Sequence, residues 1–207
     1  MAAVRERELV EYADPGGRNL FREWLDSLKD LRARVRIDAR PLRVRLGNLG
    51  DAKAVGDGVH ELPVSFGPGY RVYFGVDGPR IVVLRMGGDK SSQRSDNRRP
   101  KELWAIYRAR CAMANATKAY VDGLNERLRN SEYAAEYLSA AASEGRAEFL
   151  LALRDVARAQ GMGKVARRAH RGRESLYKAL SGKGNPGLDT LLSVLRAAGV
   201  ELQFKAA

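Results

Sequence analysis

The chain has 207 residues, 44% of them hydrophobic, with 37 Lys/Arg against 25 Asp/Glu for a formal net charge of +12. That length suits one or two domains, and no stretch approaches the ~20 apolar residues that a membrane span needs, so no membrane partner is expected. The lone cysteine, Cys111, excludes an intrachain disulfide and fits a reducing cytoplasm, and no signal peptide precedes Arg5.

With one Cys and two His in the chain, a zinc site is not expected, and no other metal or cofactor is called for. The positive excess is shared by both halves: 22 Lys/Arg against 15 Asp/Glu in residues 1–112, and 15 against 10 in residues 113–207. An excess in each half points to a polyanionic partner for each, nucleic acid before membrane, with two solvated basic surfaces as the alternative.

In chain order, Arg5 to Tyr12 reads as a first strand and Asp14-Pro15-Gly16-Gly17 as a loop. Asn19 can cap a helix in which Leu20, Phe21, Trp24, Leu25 and Leu28 share one face, and Trp24 there reads as core. A second helical stripe runs through Leu31, Val35, Leu42, Leu46 and Leu49, with six arginines on its other faces. Pro41 should kink or end it near Arg40. From Ala54 the period becomes two: a strand around Val59–Val64, a Gly67-Pro68-Gly69 hairpin, a return through Tyr70–Phe74, an Asp77-Gly78 turn, and an apolar run from Arg80 to Met86. A polar loop, Gly87 to Ser92, precedes a closing helix from Lys101 to Arg110 with Leu103, Trp104, Ile106 and Tyr107. The expected fold class is therefore α+β for the first half.

This half resembles the RelE/HigB superfamily of toxins, in its phage-derived addiction module killer branch. The residues that carry the resemblance are Phe21-Arg22-Glu23-Trp24-Leu25, His60-Glu61-Leu62, Gly67 to Phe74, Gly87 to Gln93 and Lys101-Glu102-Leu103-Trp104. The resemblance implies an mRNA-cleaving domain, acting on the ribosome. RNA self-cleavage needs a base for the 2′-hydroxyl, cations for the pentavalent phosphate and an acid for the leaving 5′-oxygen. The candidate catalytic residues are His60 and Glu61 on one strand, Arg71 on the next, and Asp89 and Lys90 after the third. The resemblance gives Arg71 and Lys90 the role of binding and stabilising the scissile phosphate.

His60 reads either as base or acid or as a structural residue, and because neighbours on a strand face opposite ways, His60 and Glu61 should not act together. Lys53 and Arg85 are candidate phosphate contacts. Tyr73 is a candidate stacking residue, with core packing as its alternative. One departure stands out: Pro63 occupies a place where the family usually has a basic residue. It removes a charge and a backbone donor, and leaves open a weakened or inactive toxin domain. Gly88-Asp89-Lys90-Ser91 lacks the upstream glycine of a phosphate-binding loop, and Gly67-x-Gly69 lacks the third glycine of a dinucleotide site.

The junction, Arg108 to Thr117, is polar and small-residued. Met113 reads as a relic start of a once separate protein or as an ordinary helix residue. Helical spacing then appears at Tyr120, Leu124 and Leu128, at Tyr133, Tyr137 and Leu138 after a Ser131 cap, and through Phe149, Leu150, Leu153 and Val156. Between Lys164 and Lys183 there are seven Lys/Arg against one Glu, on two short helices predicted over Gly163–Ala169 and Glu174–Leu180. This is the profile of a helix-turn-helix facing a polyanion. A last helix with Leu188, Leu191, Leu192 and Leu195 follows, and Val200, Leu202 and Phe204 alternate as a terminal strand.

This half resembles the HigA-type antitoxins through Ala134 to Leu138, Leu153 to Ala157, Arg173 to Ser181 and Gly184-Asn185-Pro186. The resemblance implies neutralisation of a cognate toxin and operator DNA binding as a homodimer. Arg173, Ser175, Tyr177 and Lys178 would enter the major groove, with Lys164, Arg167 and Arg168 on phosphates or on a solvated face. The turn His170-Arg171-Gly172 departs from the family's usual stop, apolar plug and cap.

The domains expected are a toxin domain at 1–110, a linker and helical neutralising segment at 111–145, and a helix-turn-helix domain at 146–207. Together they would form a toxin and antitoxin in one chain, meeting in cis or between swapped chains, with mRNA, ribosome and operator DNA as partners. A repressor with a catalytically dead toxin-like domain is the alternative, and a ribosome-binding module without cleavage is a third.

Overall fold

A computed structural model describes residues 6–87, 98–110, 117–181 and 183–203. The chain divides into two compact units, residues 1–123 and 124–207. The first is α+β and the second all-helical, in agreement with the expected class.

The first unit runs β1 (Glu8–Tyr12), α1 (Leu20–Ser27), α2 (Leu31–Ala39), α3 (Pro41–Arg45), β2 (Lys53–Gly56), β3 (Val59–Val64), β4 (Tyr70–Asp77), β5 (Arg80–Gly87), α4 (Arg98–Arg110) and β6 (Thr117–Ala119). The strands form one six-stranded sheet in the order β2-β3-β4-β5-β1-β6. Four of the five pairings are antiparallel, while β1 runs parallel to β5 through Glu8↔Arg80 to Glu11↔Val83.

One face carries Val10, Tyr12, Val59, Tyr73, Val82 and Leu84, packed against Leu103, Trp104 and Tyr107 of α4. The alternating residues Leu9, Leu62, Val72, Phe74, Ile81 and Val83 are just as buried, so the central strands are covered on both sides. Double coverage explains the near-continuous apolar run of β5. Trp104 lies so close to the sheet that a Cβ on Gly75 would fall 2.4 Å from its ring, and one on Gly58 2.9 Å from its Nε1.

Local chemistry sets the boundaries. Asn19 accepts a hydrogen bond from Arg22 N and Asp30 accepts from Arg32 N and Ala33 N, which caps α1 and α2. Pro41 ends α2 and opens α3 at its first position, where a missing N–H costs nothing. Asp57 and Gly58 both take positive φ, as a two-residue hairpin between β2 and β3 requires. That hairpin and strand β2 are additional to the alternating region expected from Ala54 onward.

Pro63 finds a tolerant place. The β2 pairing stops at Glu61, so the outer side of β3 is open beyond it. The Pro63 carbonyl accepts instead from Arg40 Nε at 2.8 Å. A strand residue's N and O project to the same side, so the proline's missing donor falls on that open edge and costs no ladder bond to β4.

The second unit contains most of α5 (Tyr120–Leu128), then α6 (Ser131–Glu144), α7 (Arg146–Ala159), α8 (Met162–Arg168), α9 (Arg173–Ala179) and α10 (Leu188–Ala197). Tyr133, Tyr137, Leu138, Leu151, Leu153, Val156, Leu180 and Val194 fill its core. The cap of α6 is Asn130, whose side chain accepts from Tyr133 N, one residue earlier than the Ser131 expected. From the cap position the Asn130 side chain satisfies the third-position donor, and Ser131 becomes the first helical residue.

The terminal strand does not form among the described residues. Val200 N bonds to Leu195 O and Gly199, with φ +74°, bonds to Arg196 O, a Schellman end to α10 that uses the backbone donor a strand would need. The altered turn between α8 and α9 works in the same way. His170 itself adopts φ +52°, its N–H reaches Arg167 O, and Arg171 N reaches Ala166 O.

A left-handed non-glycine residue costs about 1–2 kcal/mol. His170→Gly should therefore raise the stability of this unit by about 1 kcal/mol at most, after the entropy glycine adds to the unfolded chain. Thermal unfolding followed by circular dichroism checks it, and a lower midpoint would contradict the strain reading.

Candidate functional site

The sheet register brings three of the candidate residues together on one face. Glu61 lies opposite Tyr73, and Pro63 opposite Arg71. Arg71 Nε sits 3.2 Å from Glu61 Oε1, and the Tyr73 hydroxyl donates to Glu61 Oε2 at 3.3 Å. All three are buried, at 6%, 5% and 0% exposure. Lys53 is exposed opposite Glu61 on β2, and Arg85 stands opposite Tyr73 on β5. His60 faces the other way, stacked on Phe74 at 5.3 Å between ring centroids. Asp89 and Lys90 lie outside the described residues.

The chemistry of this group is that of a carboxylate neutralised by a guanidinium and a phenol inside the sheet. Burial of both charges is tolerable because each meets the other. Tyr73 packs within the apolar cluster under α4, which accounts for its burial without a ligand. Around the start of α4, Arg99 and Arg98 donate to Glu102, and these hydrogen bonds, Arg99's first, hold its carboxyl below the usual carboxylate range.

A second site lies on α8 and α9. Leu176 is buried and anchors α9, leaving Arg173, Ser175 and Lys178 exposed and Tyr177 half-buried. The Arg173 guanidinium lies 5.8 Å above the Tyr177 ring, which stiffens both side chains at the helix start. Lys164, Arg167 and Arg168 are exposed on α8, with Val165 and Ala166 turned inward. Two short helices joined at a tight turn, with cations outward and aliphatic residues inward, can offer a helix start and a basic face to a polyanion.

A third feature was not anticipated. After α4 the chain returns to the sheet as β6, antiparallel to β1 through Val10↔Ala119, Glu11↔Lys118 and Tyr12↔Thr117. Tyr120 then turns into the first unit at 1% exposure, its hydroxyl donating to the buried Asp38 and its ring 5.9 Å from that of Phe21. Behind β1, Glu11 is fully buried. It accepts from Asn19 Nδ2 and pairs with Arg22 Nη2 at 2.8 Å. Three residues of Thr-Lys-Ala carry too little alternation to be read as a strand. The only signal was Glu11 itself, a charge inside an apolar strand.

Taken together, these features define a protein of two classes of fold in series, an α+β unit followed by a helical unit with exposed cations on two short helices. The sequence profile described as "Probable addiction module antidote protein" matches residues 120–206. A Haemophilus influenzae protein described as an uncharacterized protein is 47% identical over 83 residues, 40% of this chain and 84% of that protein. A second from the same organism is 43% identical over 81 residues, 39% of this chain and 84% of its own length. Through this region the chain belongs to the addiction module antidote family. No solved structure matches it. Among the described residues, no helix is long and apolar enough to cross a membrane.

Proposed function

We propose that the chain is a toxin and its antidote joined in one polypeptide, with the first unit an mRNA-cleaving domain acting on the ribosome and the second its inhibitor and operator-binding partner. The observation that carries the reading is the seam: the antidote-family match begins at residue 120, and residues 117–123 are built into the first unit's own sheet and core. An antidote fixed to a domain in this way meets it at an effective concentration of order mM.

In this reading, the attacking 2′-oxygen gives up its proton as it bonds to phosphorus, and the departing 5′-oxygen takes one. Arg71 and Lys90 stabilise the charge that builds on the phosphate, with Glu61 or Asp89 as the proton-transfer candidates and Lys53, Tyr73 and Arg85 as the RNA contacts, while His60, on the other face of the sheet, takes no part. The second unit uses Arg173, Ser175, Tyr177 and Lys178 on bases and Lys164, Arg167 and Arg168 on phosphates, as a homodimer in a cytoplasmic setting.

A second reading is favoured by one observation. Arg71 is closed off in a buried ion pair with Glu61, which suits a scaffold more than a phosphate grip. The chain would then be a repressor with a catalytically dead toxin-like domain.

Induced expression of residues 1–123, the complete first unit, should arrest bacterial growth and cut mRNA. The full chain should not, and Arg71→Ala in the fragment should restore growth. A fragment that is soluble and folded yet harmless would replace the first reading with the second. Arrest without new mRNA ends would indicate ribosome binding alone.

A further inference from the structure

Residues 117–123, the last of the first unit, are seated in it by more than their place in the chain. We infer that Thr117–Gly123 is a self-sufficient docking element, a strand-then-turn plug that the first unit grips without help from the covalent joint. The inference concerns how the antidote part is anchored to the first unit, not what blocks the site, and it rests on the antidote reading only for the name of the partner.

Three independent features meet there. The first is backbone pairing. β1 has β5 on one side, and its other edge is occupied by β6. An edge as apolar as Leu9-Val10-Glu11-Tyr12 would otherwise stand open to any strand, so a strand added at this place satisfies donors and acceptors that the rest of the first unit leaves for it. The second is a keyed side chain. Tyr120 is buried to 1% exposure in a slot between Phe21 of α1 and Asp38 of α2, itself 1% exposed. Burying a tyrosine and satisfying its hydroxyl is a specific contact, because a smaller or apolar residue would leave space or a polar group without this partner.

The third is close approach. Gly123 lies over the Arg22 guanidinium, and a Cβ there would fall 1.8 Å from its carbon. Arg22 cannot simply swing aside, because it neutralises the fully buried Glu11. Glu11 faces Lys118 across the β1–β6 register, so strand, ion pair and glycine form one connected patch. The glycine is required by contact, since the backbone there is an ordinary helix within α5.

The relatives support separability. The 83 residues aligned with one relative make up 84% of that protein, which leaves it no room for a further unit as long as residues 1–123. A plug of strand and keyed tyrosine is a form of partner recognition in which main-chain bonds give affinity and side-chain slots give specificity. Only residues 111–116 lie between α4 and β6, a tether short enough to keep the plug seated even if its own affinity were micromolar, by a factor of about a thousand.

The test uses the full chain. A site-specific protease sequence inserted between Arg110 and Thr117 lets the folded protein be cut at the joint, and size-exclusion chromatography with light scattering then asks whether the pieces stay together. The pieces of the wild type should co-elute as one species at micromolar concentration. In the cut protein, Gly123→Leu and Tyr120→Ala should each weaken association at least tenfold.

Separation of the wild-type pieces on dilution to micromolar would overturn the inference, as would variants that hold as tightly as wild type. If a variant does not fold uncut, hydrogen exchange on the cut wild type decides. Slow exchange at Val10–Tyr12 and Thr117–Ala119 supports the plug, and fast exchange there overturns it. Growth arrest plays no part in this readout, so a failed toxin reading and a failed docking element are told apart.

Discussion

Arg22→Ala is expected to be among the most destabilising substitutions in the first unit, at about 3 kcal/mol, the lower end for breaking a buried ion pair because the guanidinium is about a quarter exposed. The change removes the guanidinium that pairs with the fully buried Glu11. Two hydrogen bonds from the guanidinium, at 3.2 and 2.8 Å, disappear together. The same substitution removes the surface on which Gly123 rests, so the seam loosens as the unit weakens.

Pairing it with Glu11→Leu should recover part of the loss, because a buried carboxylate that has lost a cation costs more than the missing contact alone. A double-mutant cycle in urea measures this. If the single and double variants are equally destabilised, the carboxylate is not the cause.

Trp104→Ala should cost about 3–5 kcal/mol, the range for emptying a buried aromatic site. The indole is 5% exposed, stacked on Tyr107 at 5.1 Å and 11°, and pressed onto the bare backbone of Gly75 and Gly58. Neither glycine has a side chain with which to refill the space, so collapse around the hole is poor and the upper half of the range applies. Trp104→Phe should lose much less, since the indole nitrogen is buried without a hydrogen-bond partner and gives nothing up. The converse test is Gly75→Val, whose Cβ would need the ring to move by more than 1 Å and should destabilise by about 1–3 kcal/mol through overpacking. Equal midpoints for Trp104→Ala and wild type in thermal unfolding would rule out this packing account.

Much of this could be read from residues alone, and for local reasons. Asn19 acts as a cap, and Pro41 divides one apolar stripe into two helices, because capping and the proline ring operate within one turn. The spans of α8 and α9 fall within one residue of those that helical spacing predicts, and the placement of His60 and Glu61 on opposite faces followed from strand alternation. Val200, Leu202 and Phe204 alternate like a strand, yet Val200 caps a helix, because alternation over so few residues says nothing about whether a neighbouring edge exists. Thr117-Lys118-Ala119 carries almost no pattern and is a strand, because β1 offers it one.

By itself, then, the sequence determined the class of each half, its basic character and the antidote-like helical pattern, since charge, period and capping are properties of neighbours along the chain. The tertiary structure alone decided that Arg71 is enclosed with Glu61 and Tyr73, that Pro63 meets an open edge, and that residues 117–123 complete the first unit's sheet. Those outcomes depend on which strand edges and buried charges come to lie beside one another, and such pairings join residues as far apart as Asp38 and Tyr120.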